Sequence, residues 1–166
     1  MLPAGNPGGQ LAHAKEDIMV NAVQPAGFKS PQAEPGLRTE PPVVLVAEDD
    51  AAMRTLLGRV LRTAGYDVLE CRDGWELLDV MDASLPDTAR ARVDLVITDN
   101  RMPGITGLDL LALGQATRDF PPTILITAFG DVDTHAEARA SGAVCVFDKP
   151  FDLDRLLDRV KSVVPL

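Results

Sequence analysis

Residues 93–113 read VDLVITDNRMPGITGLDLLAL. The run Val93–Thr98 is almost continuously apolar and rich in β-branched side chains, as expected of a strand covered on both faces of a sheet. Asp99 follows without a gap, and from Leu108 to Leu113 the apolar residues shift to helical spacing. On either side the same alternation returns. Val43–Ala47, Tyr66–Cys71, Thr123–Thr127 and Ala143–Phe147 are the other strand candidates, and Tyr66–Cys71 alternates more, as suits an edge. Between them, Ala51–Ala64 carries a stripe at Met53, Leu56, Leu57, Val60, Leu61 and Ala64, with Gly65 as its stop. Trp75–Met81 and Leu108–Leu113 make shorter stripes, and Leu153, Leu156, Leu157, Val160 and Val164 make the last. The fourth helix, about Val132–Ser141, offers mainly Val132 and alanines to a core and is the element expected to shift, with Gly142 as its stop. Five such units predict an α/β domain with a doubly wound parallel sheet.

The 166 residues hold 16 basic and 25 acidic side chains, a net charge of −9. From Val43 onward the balance is 21 acids to 13 bases. A surface this acidic repels a phosphate backbone, so direct nucleic-acid binding is not expected. No apolar run is long enough to span a bilayer and the N-terminus has no secretory pattern, so the chain is expected to be cytoplasmic and without membrane insertion. Cys71 and Cys145 are isolated and predicted to be free thiols on opposite edges of the sheet, and with only His13 and His135 there is no zinc or haem spacing. Residues 1–42 hold seven of the 13 prolines and five of the 13 glycines and are expected to be a disordered tail. The Ile18–Val23 patch reads as linker rather than docking helix, and Met19 is an alternative start. Ala83–Arg92 is expected to be a surface loop.

The polar residues at the strand ends carry the chemistry. The first strand runs into Glu48, Asp49 and Asp50, and the third into Asp99. Each acid alone is equally a helix cap or turn residue. In a doubly wound sheet ordered 2-1-3-4-5, however, strands one and three are neighbours at the switch point, where ligands bind beyond the carboxyl ends. Glu48, Asp49 and Asp99 would then share a crevice and repel one another unless a cation lay between them. So few carboxylates suit Mg²⁺, with Mn²⁺ as an alternative, better than Ca²⁺, and Asp99–Gly104 is not an EF-hand loop. Thr127 and Lys149 end or follow strands on the same edge. An Asp nucleophile, a divalent ion, a hydroxyl and an ammonium are the parts needed to form an aspartyl phosphate.

The motifs VLVAEDD, DLVITDNRMPGITGLDLL, ILITAFG and VFDKPF, in this order, resemble those of response regulator receiver domains, single-domain chemotaxis-type receivers among them. The resemblance covers about Val43–Val164 and implies a flavodoxin-like (βα)5 fold of order 2-1-3-4-5. It implies that Asp99 is the phosphoryl acceptor, that Asp49 ligates Mg²⁺ directly and Glu48 through water, and that Arg101 adds a backbone carbonyl. It further implies phosphoryl contacts from Thr127 and Lys149 and a cis peptide between Lys149 and Pro150. Arg101 and Phe129 fall at positions that tune phosphoryl lifetime. Val146 departs from the family, standing where the switch residue is usually aromatic, with Phe147 expected on the opposite face.

The function so implied is a receiver that takes a phosphoryl group from a sensor histidine kinase or a histidine phosphotransfer protein. It would signal to a downstream protein through its fourth-helix to fifth-helix face, or by forming a homodimer, with no enzymatic turnover beyond its own phosphorylation and dephosphorylation. With Leu166 directly after the last helix, effects are expected to pass through another protein. A pseudo-receiver adaptor is the second reading, supported by Val146. A small Mg²⁺ phosphohydrolase is the third, weakened because Arg101 stands where a second acid would protonate the leaving group.

Overall fold

In a computed structural model the described residues are 40–81, 92–116, 120–128 and 130–166. They form β1 (Val43–Ala47), α1 (Ala51–Thr63), β2 (Asp67–Cys71), α2 (Gly74–Val80) and β3 (Leu95–Asp99). α3 (Gly107–Gln115), β4 (Thr123–Thr127), α4 (Val132–Ala140), β5 (Ala143–Asp148) and α5 (Leu153–Val163) follow. All five strands are parallel, in the order β2-β1-β3-β4-β5. This is the flavodoxin-like arrangement. The expected tail lies almost wholly outside the described residues, as does most of the expected Ala83–Arg92 loop. No helix among the described residues is long and apolar enough to cross a membrane.

Alternate residues of β1 face opposite layers. Val44 and Val46 join Leu57, Leu61, Leu156 and Val160 in the layer beneath α1 and α5. Leu45 and Ala47 join Leu77, Val96 and Leu110 in the layer toward α2 and α3. β3 and β4 are buried throughout and β1 nearly so, whereas β2 exposes Asp67 and Glu70, which is why the central strands read as apolar runs and this edge as an alternation.

The helices begin where an acid or hydroxyl caps them. The side chains of Asp50, Asp73, Thr106, Asp131 and Asp152 each accept from a first-turn N–H, satisfying donors that have no partner within the helix. Gly65 and Gly142, at φ 106° and 87°, occupy the left-handed region just past α1 and α4, as their expected role as stops requires.

Some boundaries differ from expectation. Tyr66 precedes β2 rather than opening it: its buried hydroxyl donates to the Val164 carbonyl at 2.7 Å, tying the start of β2 to the end of α5. β3 begins at Leu95, just after Asp94, whose carboxylate turns back to accept from the Val43 N–H at 2.9 Å, and it includes Asp99, which stays paired with Ile126. β5 extends to Asp148 rather than ending at Phe147. The fourth helix is correctly weak but for another reason than expected: Val132 is 84% exposed, and Ala138 alone of its residues is buried. Cys71 and Cys145 are free thiols on the two edge strands.

Candidate functional site

Parallel register sets the carboxyl edge. Ala47 pairs with Thr98, so Glu48 emerges level with Asp99 on the adjacent strand. Asp99 pairs with Ile126, which places Thr127 one residue further along β4, and Thr127 pairs with Asp148, the residue before Lys149. The Lys149 N–H donates to the Thr127 carbonyl at 2.7 Å, and the Asn100 N–H to the Ile126 carbonyl at 2.7 Å, so the sheet's hydrogen bonding continues past the strand ends. The Lys149–Pro150 peptide is cis.

The side chains converge as the register demands. Carboxylate oxygens of Glu48, Asp49 and Asp99 all lie within 4.8 Å of one another. Lys149 Nζ donates to Glu48 at 2.8 and 3.0 Å from its two oxygens, and stands 3.3 Å from Asp99 Oδ1. Glu48 is 1% exposed and Asp99 5%, while Asp49 is open to solvent. Asp99 Oδ1 is buried without a hydrogen bond of good geometry, and Lys149 at 3.3 Å acts on it chiefly as a charge. Three carboxylates against one ammonium leave the crevice net negative.

That balance shifts the protonation equilibria. Burial pushes the Glu48 carboxyl above its ordinary value, the Lys149 hydrogen bond opposes this, and the Asp99 charge adds to the rise. Asp99 is likewise raised by burial, against the pull of Lys149 and with the repulsion of Asp49. Burial acts to lower Lys149, but its hydrogen bond to Glu48 and the charges of Asp99 and Glu48 outweigh burial and leave it raised. The crevice therefore favours added positive charge. Hard oxygen donors at this spacing, one of them a buried oxygen lacking a hydrogen bond of good geometry, fit a small divalent ion such as Mg²⁺.

Of the residues singled out from the sequence, Glu48, Asp49, Asp99 and Lys149 form this cluster. Thr127 is fully buried at the neighbouring strand end. Arg101 has an exposed side chain two residues beyond Asp99. Val146 is half-buried and packs beside Leu111, Leu125 and Ala138, whereas Phe147 faces the α1–α5 layer against Phe151, so the two occupy opposite faces as alternation requires. Phe129 lies outside the described residues.

Two contributions escaped the sequence reading. Arg54 of α1 donates from Nη1 to the Glu48 carbonyl at 2.7 Å and sits 3.9 Å from Glu70 of β2, bracing the turn that carries two of the acids. A lone arginine on an amphipathic helix gives no sequence signal of such a role. The Asn100 carboxamide oxygen accepts from Leu108 N–H at 3.3 Å and its carbonyl from Gly107 N–H at 3.2 Å, seating α3 on the end of β3.

Comparison with known proteins places this geometry. Residues 44–161 match the family model of the response regulator receiver domain. The chain is 32% identical over 123 residues to sporulation initiation phosphotransferase F of Bacillus subtilis, covering 74% of this chain and 94% of that protein. It is 36% identical over 121 residues to the transcriptional regulatory protein FixJ of Bradyrhizobium diazoefficiens, covering 73% of this chain but 56% of that longer protein. Among solved structures it resembles the Francisella response regulator 1452 receiver domain, with TM-score 0.66 and 27% identity over 74% of this chain and 95% of that one. The chemotaxis response regulator CheY4 of Vibrio cholerae gives TM-score 0.64 and 28% identity, covering 75% and 99%. The chain belongs to the response regulator receiver domain family of two-component signalling.

Proposed function

We propose that residues 43–166 act as a phosphoryl-accepting receiver, with Asp99 as the acceptor, and that residues 1–42 are an appended tail. The observation that carries the reading is the placement of Asp99 Oδ1, buried, without a hydrogen bond of good geometry and 3.3 Å from the Lys149 ammonium. In the proposed step an Asp99 carboxylate oxygen attacks the phosphorus of a phosphohistidine. The new O–P bond forms as the N–P bond breaks, and the imidazole nitrogen leaves and takes a proton from solvent. Lys149 neutralises charge on the transferred oxygens, and Thr127 is assigned a hydroxyl contact to one of them. A bound Mg²⁺ would supply charge neutralisation to the same oxygens. Asp49 and Asp99 would hold it directly, with the Arg101 carbonyl, while Glu48, whose two oxygens are both engaged by Lys149, is better suited to act through water.

The phosphoryl donor is proposed to be a histidine kinase or phosphotransfer protein. Met53 and Leu56 line a groove of about 420 Å³ with Asp50 and Lys149, an apolar footing beside the crevice for such a partner. Output is assigned to a protein target or a second copy of the chain meeting the α4–β5–α5 face. Incubation with acetyl phosphate and Mg²⁺ tests the reading. A receiver gains one acid-stable, base-labile phosphoryl group that is lost in Asp99→Ala. Sustained phosphate release with no phosphoryl group accumulating on the chain would instead indicate a phosphohydrolase, and neither incorporation nor release a pseudo-receiver adaptor.

A further inference from the structure

We propose that the His135–Asp148 hydrogen bond is a latch that holds α4 in the arrangement of the unphosphorylated chain, so that phosphorylation and the latch oppose each other. The inference rests on the reading of Asp99 as phosphoryl acceptor. His135 Nε2 and Asp148 Oδ1 are 2.8 Å apart, with the imidazole 20% and the Asp148 side chain 53% exposed. His135 belongs to α4. Asp148 closes β5, pairs in register with Thr127 and immediately precedes Lys149. The bond thus joins the helix to the strand end that bears the site's cation and borders its hydroxyl.

A third segment meets the same pair. Gly130, three residues beyond Thr127, packs so closely that a Cβ there would overlap Asp148 Oδ1 and stand 2.6 Å from His135 Nε2. Gly130, just ahead of α4, therefore rests on the latch with no intervening space. Among the described residues, little apolar burial holds this end of the helix. Val132 is 84% exposed, the buried residue Ala138 lies a turn and a half further on, and the Gln115 side chain grips the Ala140 carbonyl at the far end. For a helix with so little apolar anchorage, one hydrogen bond of ordinary net strength decides between two positions.

A phosphoryl group on Asp99 draws on Thr127, the register partner of Asp148, and on Lys149, the residue that follows Asp148. Either displacement moves Asp148 or Gly130 against the other. With no slack between them, the His135 contact is surrendered and α4 is released. Because the two events are linked, a chain without the latch binds a phosphoryl mimic more tightly, by the same factor by which the mimic weakens the latch.

Beryllofluoride with Mg²⁺ serves as the probe, its affinity measured on the full chain and on His135→Ala, Asp148→Ala, the double variant and His135→Gln. Each alanine variant is expected to bind about threefold to tenfold more tightly, corresponding to the loss of one hydrogen bond. The double variant should gain no more than either single one, since both remove the same contact, and His135→Gln, which retains a donor, should return toward wild type. Amide exchange across α4 should be faster in His135→Ala without the probe than in wild type without it. Unchanged or weaker affinity in His135→Ala, additive gains in the double variant, or wild-type α4 exchange in His135→Ala each overturns the latch, even if thermal stability falls. Failure of the wild-type chain to bind beryllofluoride would overturn the receiver reading and the latch with it, whereas wild-type binding with indifferent variants overturns the latch alone.

Discussion

Neutralising the proposed phosphoryl acceptor should make the metal-free protein more stable. With an effective dielectric constant of about 20, two like charges 4.8 Å apart repel by about 3.5 kcal/mol. Asp99 has two such neighbours within that distance, Glu48 and Asp49, for a repulsion of about 7 kcal/mol. Its attraction to Lys149 at 3.3 Å is worth about 5 kcal/mol on the same footing. Replacing the carboxylate in Asp99→Asn relieves the larger quantity and forfeits the smaller. Asp49 is exposed and its share is screened, so the charge balance alone yields less than about 2 kcal/mol, and release of the carboxylate from its burial adds to the gain.

Urea unfolding in EDTA, followed by circular dichroism, should show the midpoint rising without a change in slope. Millimolar Mg²⁺ should then reverse the order, because the wild-type chain gains binding free energy that the variant has largely lost. An Asp99→Asn protein less stable than wild type in EDTA would refute the electrostatic account of the crevice, since packing is nearly unchanged by the substitution.

Three further outcomes follow from the same geometry. Because burial and mutual repulsion raise Glu48 and Asp99 in the folded chain, both take up protons there before they do in the unfolded chain. Metal-free stability should therefore increase as pH falls from neutral toward about 4. Below that range the lowered carboxyls of the Asp109 and Asp131 caps act with the opposite sign and stability declines, as pH-dependent urea midpoints would record; a monotonic loss from pH 7 downward would contradict this. Arg54→Ala should weaken Mg²⁺ binding about tenfold by calorimetry through loss of its brace on the Glu48 carbonyl. Mere removal of a nearby positive charge would strengthen binding, so the sign separates the two effects. The Cys71 thiol, pushed up to about 12 by burial and by the nearby Glu76 and Asp73 carboxylates, should resist iodoacetamide at pH 8 until urea unfolds the chain; rapid modification of the native protein at that position would contradict its environment.

The strands and four of the helices were legible because their burial follows simple periods. Val44, Val46, Leu57 and Leu61 face one layer and Leu45 and Ala47 the other, as alternation and the helical repeat require. The acids and the lysine were legible because each ends or follows a strand, and parallel strands deliver their ends to one edge. Tyr66 misled because an aromatic residue beside a strand has the composition of one, while its hydroxyl is used 98 residues away. Val132 misled because apolar character at a helix start is a weak claim on the core when the helix has only alanines behind it. Arg54, Asn100 and the His135–Asp148 pair act through contacts between segments, and nothing in their own neighbourhoods announces a partner.

The charge balance of the crevice gives the proposed chemistry a direction. Glu48, Asp49 and Asp99 against Lys149 leave the folded, metal-free site over-negative, and a divalent cation brings it near neutrality. Phosphorylation at Asp99, as proposed, would replace its carboxylate with a group carrying about two negative charges and three acceptor oxygens, making the site negative again. The nearest mobile countercharge is the Lys149 ammonium, held at 2.8 and 3.0 Å by Glu48. To serve the phosphoryl oxygens it must loosen that grip. The residue before it is Asp148, so any movement of the Lys149 backbone reaches the His135 contact within one peptide unit. On the proposed reading, an electrostatic imbalance at the end of β3 would in this way be converted into a displacement at α4, where Ala138 alone is buried.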